Sequence, residues 1–292
     1  MHPNNRYRAP HDFPALARTE PALAEYFIVT PDGRTSLDFT DPRAVRLLNG
    51  ALLRRDFGLR FWDIPRGSLC PGVPGRLDYV HALADLIGAR TQVQGNDPEQ
   101  GVIGLDIGTG ASLIYPILGS RTYGWRMVGV DTDPTALRVA AAIVKHNPVL
   151  HDRVIVRRQP DPSAIFRGII EPGESFTFTM CNPPFFASAA DATAAARRKW
   201  DKLGVETTET AFNFGGQPNE LWTPGGEPAF LRRMIAESTA FAGRVAWFTT
   251  LVSKKGYLRV AEQAFSRHGI TDHRVIKIGR GGKQRRILCW RV

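Results

Sequence analysis

Cys181-Asn-Pro-Pro-Phe-Phe186 directly follows Ser175-Phe-Thr-Phe-Thr-Met180, a short β-branched and aromatic run that reads as a buried strand. An Asn-Pro-Pro-aromatic element at a strand end suits one chemical task, holding the NH2 group of an amide or an exocyclic amine for alkylation. The side-chain oxygen of Asn182 and the carbonyl of Pro183 can both accept hydrogen bonds from such a group. Pro183 and Pro184 fix φ and remove backbone donors, so the loop cannot relax into a helix. Phe185 can then offer a ring face to a flat substrate. The same residues would also serve as a plain Pro-Pro turn that ends a strand.

Two more elements carry chemistry. Asp106-Ile-Gly-Thr-Gly110 follows the apolar run Val102-Ile-Gly-Leu105; its glycines allow the backbone to approach a ligand with turn amides pointing outward. A lone GxG is weak, and Leu113 stands where the dinucleotide fingerprint requires a third glycine. Asp131 comes roughly twenty-five residues later, where a nucleotide fold carries a ribose-binding acid. Asp131 and Asp133 also precede Pro134 as helix caps would. Asp106, Asp131 and Asn182 all fall at the carboxyl ends of predicted strands, where open α/β sheets bind ligands. Two acids beside a glycine loop, with no phosphate-binding lysine, disfavour a nucleoside triphosphate. They favour a cationic nucleoside, and the sulfonium of S-adenosylmethionine fits, with S-adenosylhomocysteine as product.

The elements that must position these residues alternate strand and helix from Val102 onward. Strands are predicted at Val102–Asp106, Arg126–Val130, Arg153–Arg157, Phe176–Cys181 and Val245–Val252, with helices at Ala111–Leu118, Pro134–His146, Glu227–Ala242 and Gly256–His268. Repeated βαβ units imply an α/β, doubly wound, mostly parallel sheet. Arg274–Ile278 and Arg286–Arg291 close the chain as an antiparallel hairpin. Before the linker at 91–100 lie an apolar-periodic segment (Pro14–Phe27), a hairpin about Pro31-Asp-Gly33, and helices at Pro42–Phe57 and Arg76–Ile87. This divides the chain into a smaller α/β extension (1–95) and a Rossmann-like domain (96–292), the latter carrying an insertion at 187–226.

Composition narrows the partners. The chain has 292 residues, and its net charge of +10 is concentrated at the C-terminal end. From Arg244 onward twelve Lys and Arg face only Glu262 and Asp272, which accounts for the whole excess. A polyanionic partner is the natural reading, and a solvated basic surface is the alternative. No run approaches the roughly 18 apolar residues of a membrane span, and the N-terminus is no signal peptide. Three scattered cysteines offer neither disulfide framework nor metal spacing, so a cytoplasmic protein without membrane or metal is expected.

The DxGxG loop, the acid after the second strand and the NPPF element resemble class I adenine-N6 methyltransferases, whose Rossmann-like fold depends on S-adenosylmethionine. Further segments fit one family within that class: His2-Pro-Asn-Asn-Arg6, Trp62-Asp-Ile-Pro65, Cys70-Pro-Gly-Val-Pro-Gly-Arg76, Ile114-Tyr-Pro116, Asn213-Phe-Gly-Gly216 and Glu220-Leu-Trp222. Over nearly its whole length the chain resembles the bacterial 23S ribosomal RNA adenine-N6 methyltransferases of the adenine 1618 type. These are relatives of the eukaryotic methylase of U6 small nuclear RNA.

The resemblance implies roles by position. Asp106, Gly108, Thr109 and Gly110 line the methionine moiety, Asp131 holds the ribose, Ser163 lies by the cofactor's adenine, and Arg76 pairs with its carboxylate. Asn182 and Pro183, followed by Pro184, accept from the target N6 amine, and Phe185 stacks on the base. By their charge rather than by the resemblance, Arg6, Arg8, Lys283, Arg285 and Arg286 are expected to contact RNA phosphates, and Arg197, Arg198 and Lys199 to grip substrate from the 187–226 insertion, for which a plain solvated helix is the alternative. The expected partner is 23S ribosomal RNA or a large-subunit assembly particle, bound by a monomer. Another structured RNA such as a small nuclear RNA, a protein glutamine, or a non-catalytic assembly role are the alternatives. Phe186 departs from the bacterial pattern, where a polar residue is more usual, and matches the eukaryotic relative.

Overall fold

The computed structural model describes residues 1–88, 101–194, 221–279 and 284–292. Seven strands form one sheet in the order β5-β4-β3-β6-β7-β9-β8. These are β3 (Ile103–Ile107), β4 (Arg126–Asp131), β5 (Val154–Arg158), β6 (Phe176–Cys181), β7 (Val245–Val252), β8 (His273–Ile278) and β9 (Arg285–Trp290). β3 to β7 run parallel, whereas β9 pairs antiparallel with β7 and β8 antiparallel with β9, as the alternating pattern and terminal hairpin predict. The order reverses between β3 and β6, which opens a crevice at their carboxyl ends. β6 is buried at all six positions, which explains why it reads as a continuous apolar and β-branched run rather than an alternating one.

Before the sheet come α1 (Phe13–Thr19), the two-stranded hairpin β1 (Phe27–Val29) and β2 (Thr35–Leu37), α2 (Pro42–Phe57) and α3 (Val73–Gly88). They share one apolar core with a face of the sheet: Leu52, Leu53, Trp62 and Tyr79 pack in the same cluster as Trp125, Phe178 and Trp247. The periodic segment 14–27 is not one helix. It breaks at Glu20, and Pro21–Tyr26 continues as a 3-10 turn, because Pro21 cannot donate to the preceding turn. The opposite face is covered by α6 (Gly226–Ser238) and α7 (Tyr257–His268), packed on Phe166, Phe248 and Trp290.

The other helices are α4 (Ile114–Tyr123) and α5 (Pro134–His146). α4 begins three residues later than its predicted start at Ala111, and α6 stops at Ser238 before a short 3-10 turn. Among the described residues no helix is long and apolar enough to cross a membrane. The predicted linker 91–100, Asn213-Phe-Gly-Gly216 and most of the 187–226 insertion lie outside the described residues.

Candidate active site

The glycine loop leaves β3 with Gly108 at φ 74° and Gly110 at φ 62°, left-handed values that favour glycine. Gly108 and Thr109 both donate backbone N–H to the Val130 carbonyl at 2.9 Å, and Gly110 donates to Asp131 Oδ2 at 2.8 Å. Asp131 Oδ1 accepts from Asp133 N (3.0 Å), while Asp133 itself caps α5 by accepting from Thr135 N. The capping role therefore falls to Asp133. Asp131 braces the loop and lines the cavity in front of it. Burial raises the Asp131 pKa, and the backbone donors of Asp133 and Gly110 oppose the rise.

Leu113, at the position of the missing third glycine, is itself left-handed at φ 52° and fully buried. A non-glycine residue there costs about 1 kcal/mol, and the strained turn is what delays α4 to Ile114. Its geometry is fixed from outside: the indole N–H of Trp62 donates to the Ser112 carbonyl at 2.9 Å, and Ser112 lines the cavity. This gives the Trp62-Asp-Ile-Pro65 segment a structural role.

Asp106 lies behind the loop, fully buried, and neither carboxylate oxygen has a hydrogen-bond partner among the described residues. Burial pushes its pKa up to about 7, the Asp131 charge adds to the rise, and the nearby Thr109 hydroxyl and the Arg76 charge work against it. A carboxylate sealed without a donor is strongly disfavoured unless a cation arrives to pair with it. An unsatisfied acid behind a glycine cradle, with a second acid at the cradle's edge, is the donor set a cationic amino-acid nucleoside requires.

Arg76 sits in the first turn of α3, only 9 % exposed. Its Nη1 donates to Tyr115 Oη at 2.9 Å and to Asn182 Oδ1 at 3.1 Å. Arg76 therefore orients the Asn182 side chain, with the amide oxygen facing the guanidinium, and retains further N–H groups for another acceptor. The start of α3 is pinned by two asparagines. Asn5 Nδ2 donates to the Pro74 carbonyl (2.9 Å) and to Asp78 Oδ1 (2.7 Å), and Asn49 bonds both the Pro71 carbonyl and Val73 N. One turn on, Tyr79 joins a buried chain: Cys181 N donates to Tyr79 Oη at 3.4 Å, Tyr79 Oη pairs with Thr249 Oγ1 at 2.7 Å, and Thr249 Oγ1 donates to the Thr179 carbonyl. The end of β6 is thus tied to α3 at Cys181 and at Asn182.

These groups surround one cavity of about 270 Å³. Of the expected residues, Arg76, Gly108, Thr109, Gly110, Asp131, Asn182 and Pro184 line it. Asp106 and Pro183 are buried and Phe185 half-buried, and none of the three is in the cavity wall. Ser163 is exposed and donates its hydroxyl to Asp161, so the wall at that point is Pro162, Ala164 and Ile165. That loop is held by the buried Glu237 carboxylate, which accepts from the backbone N–H of Ile165, Phe166 and Arg167 at 3.0, 2.7 and 2.6 Å. Sequence reasoning assigned no role to Tyr115, Gln159, Trp222, Phe230 or Arg233, which also line the cavity. Tyr115 and Trp222 lay within quoted motifs; Phe230 and Arg233 face inward only because α6 packs over the crevice.

Of the expected RNA contacts, Arg6 and Arg8 are exposed on the N-terminal arm, with Arg6 donating to the Asp56 carbonyl at 2.9 Å and lying over the Phe57 ring. Arg285 is exposed at the start of β9 and lies against the first turn of α3, where a methyl group on Gly75 would be 3.1 Å from its Nη1. Desolvation lowers its pKa, and the Arg76 charge adds to the effect. Arg286 stands one residue on in β9, partly buried. Arg197, Arg198, Lys199 and Lys283 lie outside the described residues.

Known proteins with the same arrangement are close in sequence. A family model described as RNA methyltransferase matches residues 1–292. A ribosomal RNA large subunit methyltransferase F of Pseudomonas aeruginosa is 49 % identical over 99 % of this chain and 87 % of its own length. The protein of the same name from Pseudomonas putida is 44 % identical, over 99 % and 92 %. Among solved structures, the human METTL16 catalytic domain in complex with the MAT2A 3'UTR hairpin 1 superposes with a TM-score of 0.82 at 34 % identity, covering 100 % of this chain and 95 % of that one. The N-terminal domain of human METTL16 in complex with SAH gives a TM-score of 0.77 at 32 % identity, over 100 % and 98 %. With the family match running over residues 1–292, this chain belongs to the RNA methyltransferase family.

Proposed function

We propose that this protein transfers the methyl group of S-adenosylmethionine to N6 of an adenine in 23S ribosomal RNA, acting as a monomer in the cytoplasm. The observation that carries the reading is the convergence on one cavity of Asn182, its amide oxygen held by Arg76, the glycine loop and Asp131, with the unsatisfied carboxylate of Asp106 buried behind that loop. The names borne by the relatives support a large-subunit RNA as substrate, and the SAH complex of METTL16 supports the cofactor.

Bound S-adenosylmethionine supplies a methyl group on a cationic sulfur. Asp131 would hold its ribose hydroxyls and the remaining N–H groups of Arg76 its carboxylate, while Asp106, buried behind the loop, would offset the charge of its ammonium. The target adenine must leave its helix, at a cost of a few kcal/mol, and stacking on the half-buried Phe185 ring would return about 1–3 kcal/mol. The Asn182 oxygen and the Pro183 carbonyl would accept hydrogen bonds from the two N6 hydrogens, which draws the lone pair out of the ring and directs it at the methyl carbon. No strong base is needed, because the nitrogen sheds a proton to water once it has become positive.

The test is transfer of labelled methyl to free 23S RNA and to partly assembled large-subunit particles, followed by digestion to nucleosides and mapping. The proposal predicts N6-methyladenosine at one position. Label on another nucleoside, on protein glutamine, or on neither substrate overturns it.

A further inference from the structure

Trp222 lines the same cavity as Asn182 and Pro184. It is fixed to the NPPF element by main-chain bonds. Phe185 N and Phe186 N both donate to the Leu221 carbonyl, at 3.1 and 3.0 Å, and Thr223 N donates to the Phe186 carbonyl at 3.0 Å. Phe186 and Trp222 thereby form a parallel bridge, which gives Phe186 a backbone role. The turn that follows is anchored in turn: Gly226 N donates to the Thr223 carbonyl at 2.8 Å, and the buried Glu227 carboxylate accepts from Ser253 N at 2.7 Å.

Within this rigid setting the indole Nε1 is buried and has no hydrogen-bond partner among the described residues. An indole nitrogen is a donor only, and a buried Trp N–H ordinarily finds an acceptor. The ring lines the cavity and the residue is only partly buried, so a turn of the indole would bring this orphan donor to a ligand acceptor. Its position selects the acceptor. The cofactor's charged ends are met by Asp106, Asp131 and Arg76 around the glycine loop, whereas Trp222 is bridged to the strand end that presents Asn182 and Pro183 to the target amine. An adenine whose N6 donates to those two oxygens carries ring nitrogens, N1 and N7, on either side of the amine, and both are acceptors.

Resting on the proposed adenine methylation, we propose that the Trp222 indole N–H is the specificity donor of the site, bonding the ring nitrogen next to the amine of the flipped target base. The Asn182–Pro183 pair reads an NH2 group, and Trp222 reads the acceptor beside it. A side-chain amide offers the NH2 without the ring nitrogen, so the pair of contacts distinguishes a nucleobase from glutamine. If the acceptor is N1, guanine is also refused, because its N1 carries a proton that would face the indole N–H.

The experiment replaces the mapped target adenosine in a large-subunit RNA fragment by 1-deazaadenosine or 7-deazaadenosine. It compares wild type with Trp222→Phe, which keeps the ring and removes the N–H. With wild type, one analogue should lower kcat/KM roughly tenfold, the size of one hydrogen bond. Trp222→Phe should lose roughly tenfold on adenosine itself, show no further loss with that analogue, and bind S-adenosylhomocysteine as wild type does. Equal activity of wild type on all three RNAs overturns the inference whatever the variant does. A variant with normal activity on adenosine, or one whose defect lies in S-adenosylhomocysteine affinity, also overturns it. Failure of wild type to methylate the unmodified adenosine would instead refute the underlying adenine reading.

Discussion

Replacing Asp106 by Asn should stabilise the cofactor-free protein while crippling cofactor binding. The folded carboxyl titrates at about 7 against 3.8 in an unfolded chain. A raised acid pKa means that the unfolded state gives up its proton first, so the native state loses stability as pH rises from about 4 to about 7 and stays at that lower level above. About three units at 1.36 kcal/mol each set an upper bound of roughly 4 kcal/mol for the cost of Asp106 at alkaline pH. Asn carries no charge, yet its amide enters the same site without partners, a penalty of about 1–3 kcal/mol. The net gain is roughly 1–3 kcal/mol, or several degrees in Tm for a chain of this size. Scanning calorimetry without cofactor should show Asp106→Asn melting above wild type near pH 8. The advantage should be gone near pH 4, where both proteins are neutral at this position. Titration with S-adenosylhomocysteine should show affinity reduced by about a hundredfold, because a buried ion pair has lost one partner. Wild-type binding should also release a proton near pH 7, seen as a heat that varies with the buffer. A variant that melts below wild type at pH 8 and binds S-adenosylhomocysteine normally would refute the assignment of Asp106 as the ammonium's partner.

Two further outcomes follow from contacts away from the transferred methyl. Glu237→Gln turns one acceptor oxygen into a donor against the backbone N–H groups of residues 165–167. It should cost about 2 kcal/mol in stability and weaken S-adenosylhomocysteine roughly tenfold with RNA affinity unchanged, as read by thermal unfolding and calorimetry. Undiminished cofactor affinity would separate Glu237 from the site. Joint replacement of Arg6 and Arg8 by Ala should weaken RNA binding and reduce the slope of log K against log salt by about 1–2; a slope equal to that of wild type would remove the arm from the RNA contact.

Most of the parallel sheet was legible in the sequence because buried strands such as β6 are unbroken apolar and β-branched runs between glycine and proline punctuation. The residues that line the cavity at strand ends were legible for a related reason: Gly108, Gly110, Asp131 and Asn182 are residue types that backbone geometry or polarity demands at those points. What the sequence did not reveal is how those residues are held. Arg76 reaches Asn182 across 106 positions, Tyr79 reaches Thr249 across 170, and no local pattern encodes either contact. Helix boundaries failed where strain or proline overrode propensity, at Leu113 and Pro21. Trp222 stood in a recognisable motif, but its meaning depends on a bridge to Phe186 and on an unpartnered nitrogen, neither of which is a property of sequence.

Methyl transfer by Asn182→Ala is the most direct measurement of the central claim, that an amide oxygen at the end of β6 holds the accepting amine. Single-turnover transfer to 23S RNA, measured beside calorimetric binding of S-adenosylhomocysteine, separates chemistry from cofactor affinity. The predicted result is a rate lower by at least about a hundredfold, the usual size of losing one transition-state hydrogen-bonding group, with S-adenosylhomocysteine affinity within a few-fold of wild type. A near-normal transfer rate in a folded variant would contradict the account.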